Sequence, residues 1–248
     1  MKTIAPLLVA VQFLTRFPVP SARSATPEIV GRSLLYYPLV GLMLGAVLAG
    51  LNAMLQGTPS LLHAAIVLAA WVALTGALHL DGLADSADAW IGGIGDRKRT
   101  LAIMKDPHCG PAAVVTLIVV LLLKATALYA LQTESALALA VVPMLARTSI
   151  LLLFITTSYV RPGGLGTALS ARLRRVPTAT VLITVAVSTI YFLGMMGAGM
   201  VIIVVITCMS LRTMMQRRIG GTTGDTAGAL VEITEVALLT ALALRLGH

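Results

Sequence analysis

The sequence predicts an all-α fold: a polytopic transmembrane helical bundle of about seven spans, with a short N-terminal helix that lies at the interface or inserts part way. Three observations predict it. The composition is apolar, seven stretches are long enough to cross a bilayer, and the connectors alternate between charge-rich and charge-free. Of 248 residues, 58% are hydrophobic and only 11% are charged, and the mean hydropathy is +0.94. A soluble domain carries about a quarter charged residues to cover its wet surface. Apolar residues set against lipid need no such cover. Nothing in the length calls for a second domain, so residues 1–248 read as one integral-membrane unit.

The apolar stretches lie near 34–55, 60–79, 111–131, 136–157, 178–196, 199–215 and 226–246. A helix needs roughly 20 residues to cross the hydrocarbon core. The sixth stretch is the shortest, and Gly194, Gly197 and Gly199 divide it from the fifth, which predicts a hairpin. The opening stretch, 4–14, is too short to cross. Thr15-Arg16-Phe17-Pro18 follows it, without the small-x-small pattern of a signal cleavage site.

Charge in the connectors sets the orientation. Basic residues fall in the N-terminal flank (Lys2, Arg16, Arg23, Arg32), in 80–110 (Arg97, Lys98, Arg99, Lys105), in 158–177 (Arg161, Arg172, Arg174, Arg175) and in 212–225 (Arg212, Arg217, Arg218). The connectors near 56–59 and 197 carry no charge, and the one near 132–135 has only Glu134. This alternation predicts a cytoplasmic N-terminus, a C-terminus on the far side, and a basic cytoplasmic face. The formal charge of +8 therefore fits anchoring at an anionic leaflet and does not call for nucleic acid. Cys109 and Cys208 are far apart and form no metal or redox motif.

The ten acidic residues are few enough for their placement to inform, and eight fall in two segments. The first begins His79-Leu80-Asp81-Gly82-Leu83-Ala84-Asp85-Ser86-Ala87-Asp88. Spacings of four and three set Asp81, Asp85 and Asp88 on one helical face. Like charges so close repel one another beside an apolar phase, and a divalent cation relieves this best. Carboxylate oxygens with water and phosphate suit Mg²⁺ or Mn²⁺. The bland alternative is a solvated helical turn whose acids cap a span. Small Gly82, Ala84 and Ala87 would let a bulky ligand approach. Downstream, Arg97-Lys98-Arg99 is either a topology signal or a diphosphate clamp. Lys105-Asp106 stands beside the glycine-proline entry to a span, where Asp106 would bind metal or orient Lys105.

The second acidic segment runs Gly221-Thr222-Thr223-Gly224-Asp225 through Glu232 and Glu235. Asp225, Gly228, Glu232 and Glu235 share one helical face. Glu232 and Glu235 lie within an apolar stretch, where carboxylates face a protein interior or a site. Interhelical hydrogen bonding is the structural alternative. Arg147 stands alone in another apolar run and needs a partner, either an acid or a substrate phosphate. His79 is a base, a group facing the substrate, or an ordinary interfacial histidine. Together these parts imply a metal-dependent site at the cytoplasmic face that handles a diphosphate. A hydroxyl nucleophile would give transfer and water would give hydrolysis. A cation-coupled transporter fits less well, because the acids cluster at one side and no inverted repeat is visible.

Gln12-Phe13-Leu14-Thr15-Arg16-Phe17-Pro18-Val19-Pro20, the His79-to-Trp90 motif, Met104-Lys105-Asp106, Arg147, and Gly221 through Glu235 together resemble the cobalamin synthase (adenosylcobinamide-GDP ribazoletransferase) family, over essentially the whole chain. The resemblance implies a Mg²⁺-dependent enzyme of late vitamin B12 assembly in the bacterial inner membrane. Such enzymes join GDP-activated adenosylcobinamide to α-ribazole or its 5′-phosphate and release GMP. Its partners would be corrinoid and nucleotide-like small molecules and the lipid membrane, with assembly into a homo-oligomer left open. Asp81, Asp85, Asp88 and Asp225 would hold metal and diphosphate. Glu232 and Glu235 would supply further ligands or a base, and Lys105 and Arg147 would counter phosphate charge. The first acidic motif also resembles that of CDP-alcohol phosphotransferases, but Asp85 stands where an Arg would usually follow the small residue. Only the idea of metal-bound diphosphate chemistry carries over from that family.

Overall fold

The computed structural model describes residues 4–20, 25–132, 136–162 and 164–246. Lys2, Arg23 and Glu134, used above as charge markers, lie outside them. Among the described residues the chain forms helices α1 (Ala5–Leu14), α2 (Pro27–Ser33), α3 (Tyr37–Met54), α4 (Ser60–Thr75), α5 (Leu78–Gly92), α6 (Arg97–Ile103), α7 (Pro111–Ala130), α8 (Ala136–Thr156), α9 (Gly164–Ala171), α10 (Arg175–Ile219) and α11 (Gly224–Leu246). A 3₁₀ turn, Leu34–Tyr36, joins α2 to α3, and among the described residues the only strand-like pairing is an isolated bridge between Tyr159 and Thr222.

Five helical segments are long and apolar enough to cross a membrane, and a sixth is the pair α4–α5, bent by 87°. The 45-residue α10 accounts for the seventh expected span. Its backbone leaves the helical region at Gly194 (φ 56°, ψ −133°), where a side chain would be strained. Beyond the break the chain doubles back. A Cβ on Gly197 would come within 2.3 Å of the Thr189 carbonyl oxygen. The glycine-rich hairpin expected from sequence is therefore present, with its turn at Gly194.

The second expected span is corrected. The apolar run 60–79 does not continue as one helix. α4 stops at Thr75, and Gly76 (φ 62°) and Ala77 (φ 58°) both adopt left-handed backbone. Glycine does this freely, whereas alanine does so at a steric cost. His79 consequently lies in the first turn of α5, past the bend, and not at the end of a continuous helix.

α8 lies at the centre, with 83% of its apolar window enclosed by protein, whereas the window in α10 is only 22% enclosed and faces outward. α3 reaches α8 through Gly41 and Gly45. A Cβ at Gly41 would stand 2.4 Å from the Pro143 carbonyl oxygen, and one at Gly45 would stand 2.0 Å from that of Ala140. Two glycines four apart let the backbones meet without side chains between them, the packing mode that replaces hydrophobic drive inside lipid. The N-terminal helix α1 is not merely interfacial. Val9, Ala10 and Leu14 are buried against Leu34, Tyr37 and Val40.

The charge pattern maps onto the two ends. At one end Arg218 donates to the Trp90 carbonyl (2.7 Å) and Thr100 Oγ1 (3.2 Å), Arg161 pairs with Asp225, and Arg172 with Glu28. At the other end the connectors meet through uncharged groups. Asn52 donates to the Gln132 carbonyl (3.1 Å) and its Oδ1 lies 2.8 Å from His63 Nε2.

A buried ion network joins the helices between these ends. Lys124 on α7 lies 2.5 Å from Glu232 Oε2 and also contacts Glu235, both on α11. Arg147 on α8 donates to the other oxygen of Glu235. All four side chains are at most 5% exposed. Two cations and two carboxylates balance, so no net charge is buried. Lys124 also sits 5.0 Å from the centroid of the Trp71 ring on α4, which adds a cation–π contact.

Two stability predictions follow from this packing. Gly45→Leu forces α3 away from α8 and should cost about 1–3 kcal/mol or more, read as a lower midpoint of thermal unfolding in detergent. Lys124→Met strands two carboxylates beside one arginine and should cost about 3–5 kcal/mol. Adding Glu232→Leu to that variant restores charge balance and should recover most of the loss in a double-mutant cycle. Additive losses would show that the network is not a unit.

Candidate active site

The site is assembled at the charged end by the N-terminus of α11 and the transverse helix α5. α10 ends at Gly220 in a left-handed cap (φ 73°). Gly221 follows with no room for a side chain, since a Cβ would lie 2.3 Å from the Ser158 carbonyl oxygen. Thr222 then pairs with the 158–160 segment, donating to Ser158 O and accepting from Val160 N, each at 2.9 Å. Thr223 and Thr226 cap each other. The Thr223 N–H donates to Thr226 Oγ1 (2.9 Å), and the Thr226 N–H donates to Thr223 Oγ1 (3.2 Å). This reciprocal arrangement satisfies donors that a helix start leaves free. It also fixes Asp225 in the first turn, where a carboxylate is favoured by the helix dipole.

Asp225 is not alone there. Arg161, on the segment that Thr222 holds, donates from Nη1 to its Oδ2 at 2.6 Å, and both side chains remain partly exposed. α5 crosses directly beside them. A Cβ at Gly82 would lie 2.7 Å from the Asp225 carbonyl oxygen, and one at Gly228 would lie 3.4 Å from the His79 backbone. The smallness of Gly82 therefore admits the α11 backbone, and Gly82 also lines a cavity with Asp81 and Asp225. This close crossing brings Asp81 and Asp85 next to Asp225. Asp85 feels the charges of Asp81, Asp225 and Asp88 together with the opposing charge of Arg161.

The three α5 aspartates do not act alike. Asp88 uses both carboxylate oxygens to hold the start of α7, accepting from Gly110 N (2.6 Å) and Ala113 N (3.0 Å). The capping alternative thus describes Asp88. Asp81 and Asp85 have no such backbone partners, and all three aspartates line a cavity of about 300 Å³ beside the Pro107–Cys109 loop. Asp81 also borders a second cavity of about 180 Å³, which includes His79, Asp225 and the rings of Phe13, Tyr37 and Phe154. Asp81 is therefore the shared wall between an acidic chamber and an aromatic one.

Among the described residues no three His, Cys, Asp or Glu side chains converge tightly enough to hold a metal ion by themselves. Asp81, Asp85, Asp88 and Asp225 are thus not one closed ligand cage. What they present is a surplus of hard oxygen donors on the rim of a cavity. That donor set suits Mg²⁺, which usually takes one or two carboxylates and completes its shell with water and substrate phosphate.

Other expected site residues fall elsewhere. Glu232 and Arg147 belong to the buried network, with their charged atoms on Lys124 and Glu235 rather than toward the aspartates. Lys105 is exposed at the end of α6. Asp106 does not orient it. Its Oδ1 accepts from the His108 N–H (3.0 Å) and lies 2.6 Å from His108 Nδ1. These hydrogen bonds hold the Asp106 carboxyl below the usual carboxylate range. Two residues that sequence reasoning passed over matter here. Arg161 reads in sequence as one more topology charge. Lys124 sits within an apolar run and could have been found by the reasoning that singled out Arg147.

Comparison with known proteins identifies the family. The family model for cobalamin-5-phosphate synthase matches residues 6–243. An adenosylcobinamide-GDP ribazoletransferase from Pseudomonas fluorescens is 55% identical over 96% of this chain and 99% of its own. Proteins of the same name from Stutzerimonas stutzeri and Pseudomonas aeruginosa are each 54% identical over 98% of this chain and 99% of their own. No solved structure matches. With both acidic segments and nearly all of the apolar bundle inside the matched region, the chain belongs to the cobalamin-5-phosphate synthase family.

Proposed function

We propose that the chain transfers the adenosylcobinamide phosphoryl group from adenosylcobinamide-GDP to α-ribazole or α-ribazole 5′-phosphate and releases GMP. The carrying observation is the relatives' shared name at 55% identity over nearly the full chain. The placement of Asp81 between two adjoining cavities, one also lined by Asp85 and the other by Asp225, supports it independently. A ribazole hydroxyl oxygen forms a bond to the phosphorus on the corrinoid side. The bond from that phosphorus to the GMP oxygen breaks, GMP leaves with the electron pair, and the hydroxyl gives up its proton.

Asp81 and Asp85, with Asp225 across the α5–α11 crossing, would hold Mg²⁺ on the diphosphate. Bound there, the ion would neutralise the diphosphate and the charge developing on the departing phosphate. Arg161, tethered to Asp225 at the rim, adds positive charge toward the same phosphate. Asp88 holds α7 against α5 and so fixes the wall of the chamber. Glu232, Glu235 and Arg147 act by holding the helices in register. The aromatic cavity beside Asp81 suits an apolar portion of a substrate, while the acidic one suits its phosphates.

We place the protein in the bacterial inner membrane with the N-terminus and this site cytoplasmic and the C-terminus periplasmic. The basic connectors gather at the end that carries the aspartates, which is the cytoplasmic signature.

Purified protein given GDP-activated corrinoid and ribazole should release GMP only when both ribazole and Mg²⁺ are present. Release without ribazole would indicate a hydrolase. Asp81→Asn and Asp85→Asn should each lower the rate by at least about a hundredfold while thermal unfolding stays near wild type. Near-wild-type rates would remove these residues from the metal assignment. Orientation has a native reporter, because Cys109 is exposed at the acidic cavity and Cys208 is buried. A membrane-impermeant maleimide should label the protein in inside-out vesicles and not in intact spheroplasts. The reverse pattern would place the site in the periplasm.

A further inference from the structure

The buried network reaches the active-site cavity at one point, His79. Arg147 donates to Glu235 through Nη1, and its Nη2 lies 3.4 Å from His79 Nδ1. A guanidinium has five N–H donors and no acceptor. The imidazole nitrogen facing it must therefore offer a lone pair, since an N–H there would point at another N–H. That leaves the ring proton on Nε2. His79 is 3% exposed as a residue, and its backbone packs against Gly228 on α11, so the side chain has little freedom to turn. His79 lines the cavity that Asp81 and Asp225 also line. No other hydrogen-bonding partner is recorded for the ring among the described residues.

We infer that His79 is a fixed hydrogen-bond donor, presenting Nε2–H to a phosphoryl oxygen of the substrate held beside Asp81 and Asp225, and that Glu235 and Arg147 are positioning residues that set its tautomer. The inference rests on the phosphoryl-transfer reading above. It assigns His79 the opposite role from a general base. The lone pair a base would use is already turned toward Arg147, so the proton leaving the ribazole hydroxyl goes to another acceptor. It also gives the network a consequence beyond stability. A buried tie that holds α7, α8 and α11 together also decides which edge of an imidazole faces the reacting phosphate.

The tautomer can be read directly. In full-length protein carrying ¹⁵N-histidine in nanodiscs, long-range ¹⁵N–¹H spectra distinguish a bare Nδ1 from a protonated one. His79→Gln identifies the His79 signal among the four histidines of the chain. The expected result is a proton on Nε2 and a bare Nδ1. Arg147→Lys, which keeps a charge on Glu235 but withdraws the second nitrogen from the ring, should give a mixture of tautomers. A proton on Nδ1 in the wild type, or no change in Arg147→Lys, would overturn the positioning role.

Activity supplies the second arm. A glutamine amide reaches the place of Nε2, and an asparagine amide reaches only that of Nδ1. GMP release by His79→Gln should stay within about fivefold of wild type. His79→Asn should fall roughly ten- to a hundredfold, mainly in kcat, the scale of one hydrogen bond to a charged group. Equal rates, or the reverse ranking, would remove the donor role. Wild-type protein with the expected tautomer but no GMP release would defeat the phosphoryl-transfer reading while leaving the orientation of the ring intact.

Discussion

Lys124, Glu232, Glu235 and Arg147 form the constraint on which the bundle turns. Charges removed from water cost several kcal/mol each unless they are paired and hydrogen-bonded. Inside an apolar bundle there is no water to take over if a partner is lost. The four groups can be satisfied together only in one relative placement of α7, α8 and α11. Apolar packing in lipid does not by itself choose a register, because lipid tails compete equally for apolar surface. The network supplies that choice, and the close glycine contacts of α3 with α8 and of α5 with α11 are then possible at fixed points. Through Arg147 and His79 the same constraint extends to the wall of the cavity that Asp81 and Asp225 line.

The transverse course of α5 is the second consequence. Had α4 continued straight through Gly76 and Ala77, Asp81, Asp85 and Asp88 would have emerged along the end of a span. The 87° bend lays them across the end of the bundle against α7 and α11. There the aspartates meet a cavity with a polar side and an aromatic side. That is a sensible place for a substrate whose phosphates stay wet while its bulk contacts aromatic rings.

The architecture was largely legible in the sequence because apolar run length and connector charge are local signals. Seven stretches and an alternating charge pattern predict the crossings, and the glycines near 197 predict the hairpin. The bend was less legible. Its apolar residues read the same whether the helix continues or breaks, and the break depends on Ala77 tolerating a left-handed backbone. The site was legible as a set of residue types and only partly as a set of roles. A spacing of four and three places three aspartates on one face. It does not say that one of them, Asp88, will meet the start of another helix 22 residues later. Likewise Glu232 and Arg147 read as buried charges in need of partners. Their partners come from α7 and α11, elements whose adjacency no local pattern encodes.

Charge balance separates the acids that hold the fold from those suited to chemistry. In the network, two carboxylates meet two cations and the sum is zero, as a dry interior requires. The carboxylate of Asp88 is met by two backbone N–H groups at a helix start. At the rim the account differs. Asp81, Asp85 and Asp225 face one another with Arg161 as the paired guanidinium, which leaves negative charge in surplus. A fold has no structural reason to gather like charges that way, since their mutual repulsion opposes the crossing that brings them together. The surplus becomes favourable only when positive charge arrives. On the proposed function, a divalent cation carrying a diphosphate would bring it to the rim, where carboxylates, a guanidinium and an open cavity coincide among the described residues.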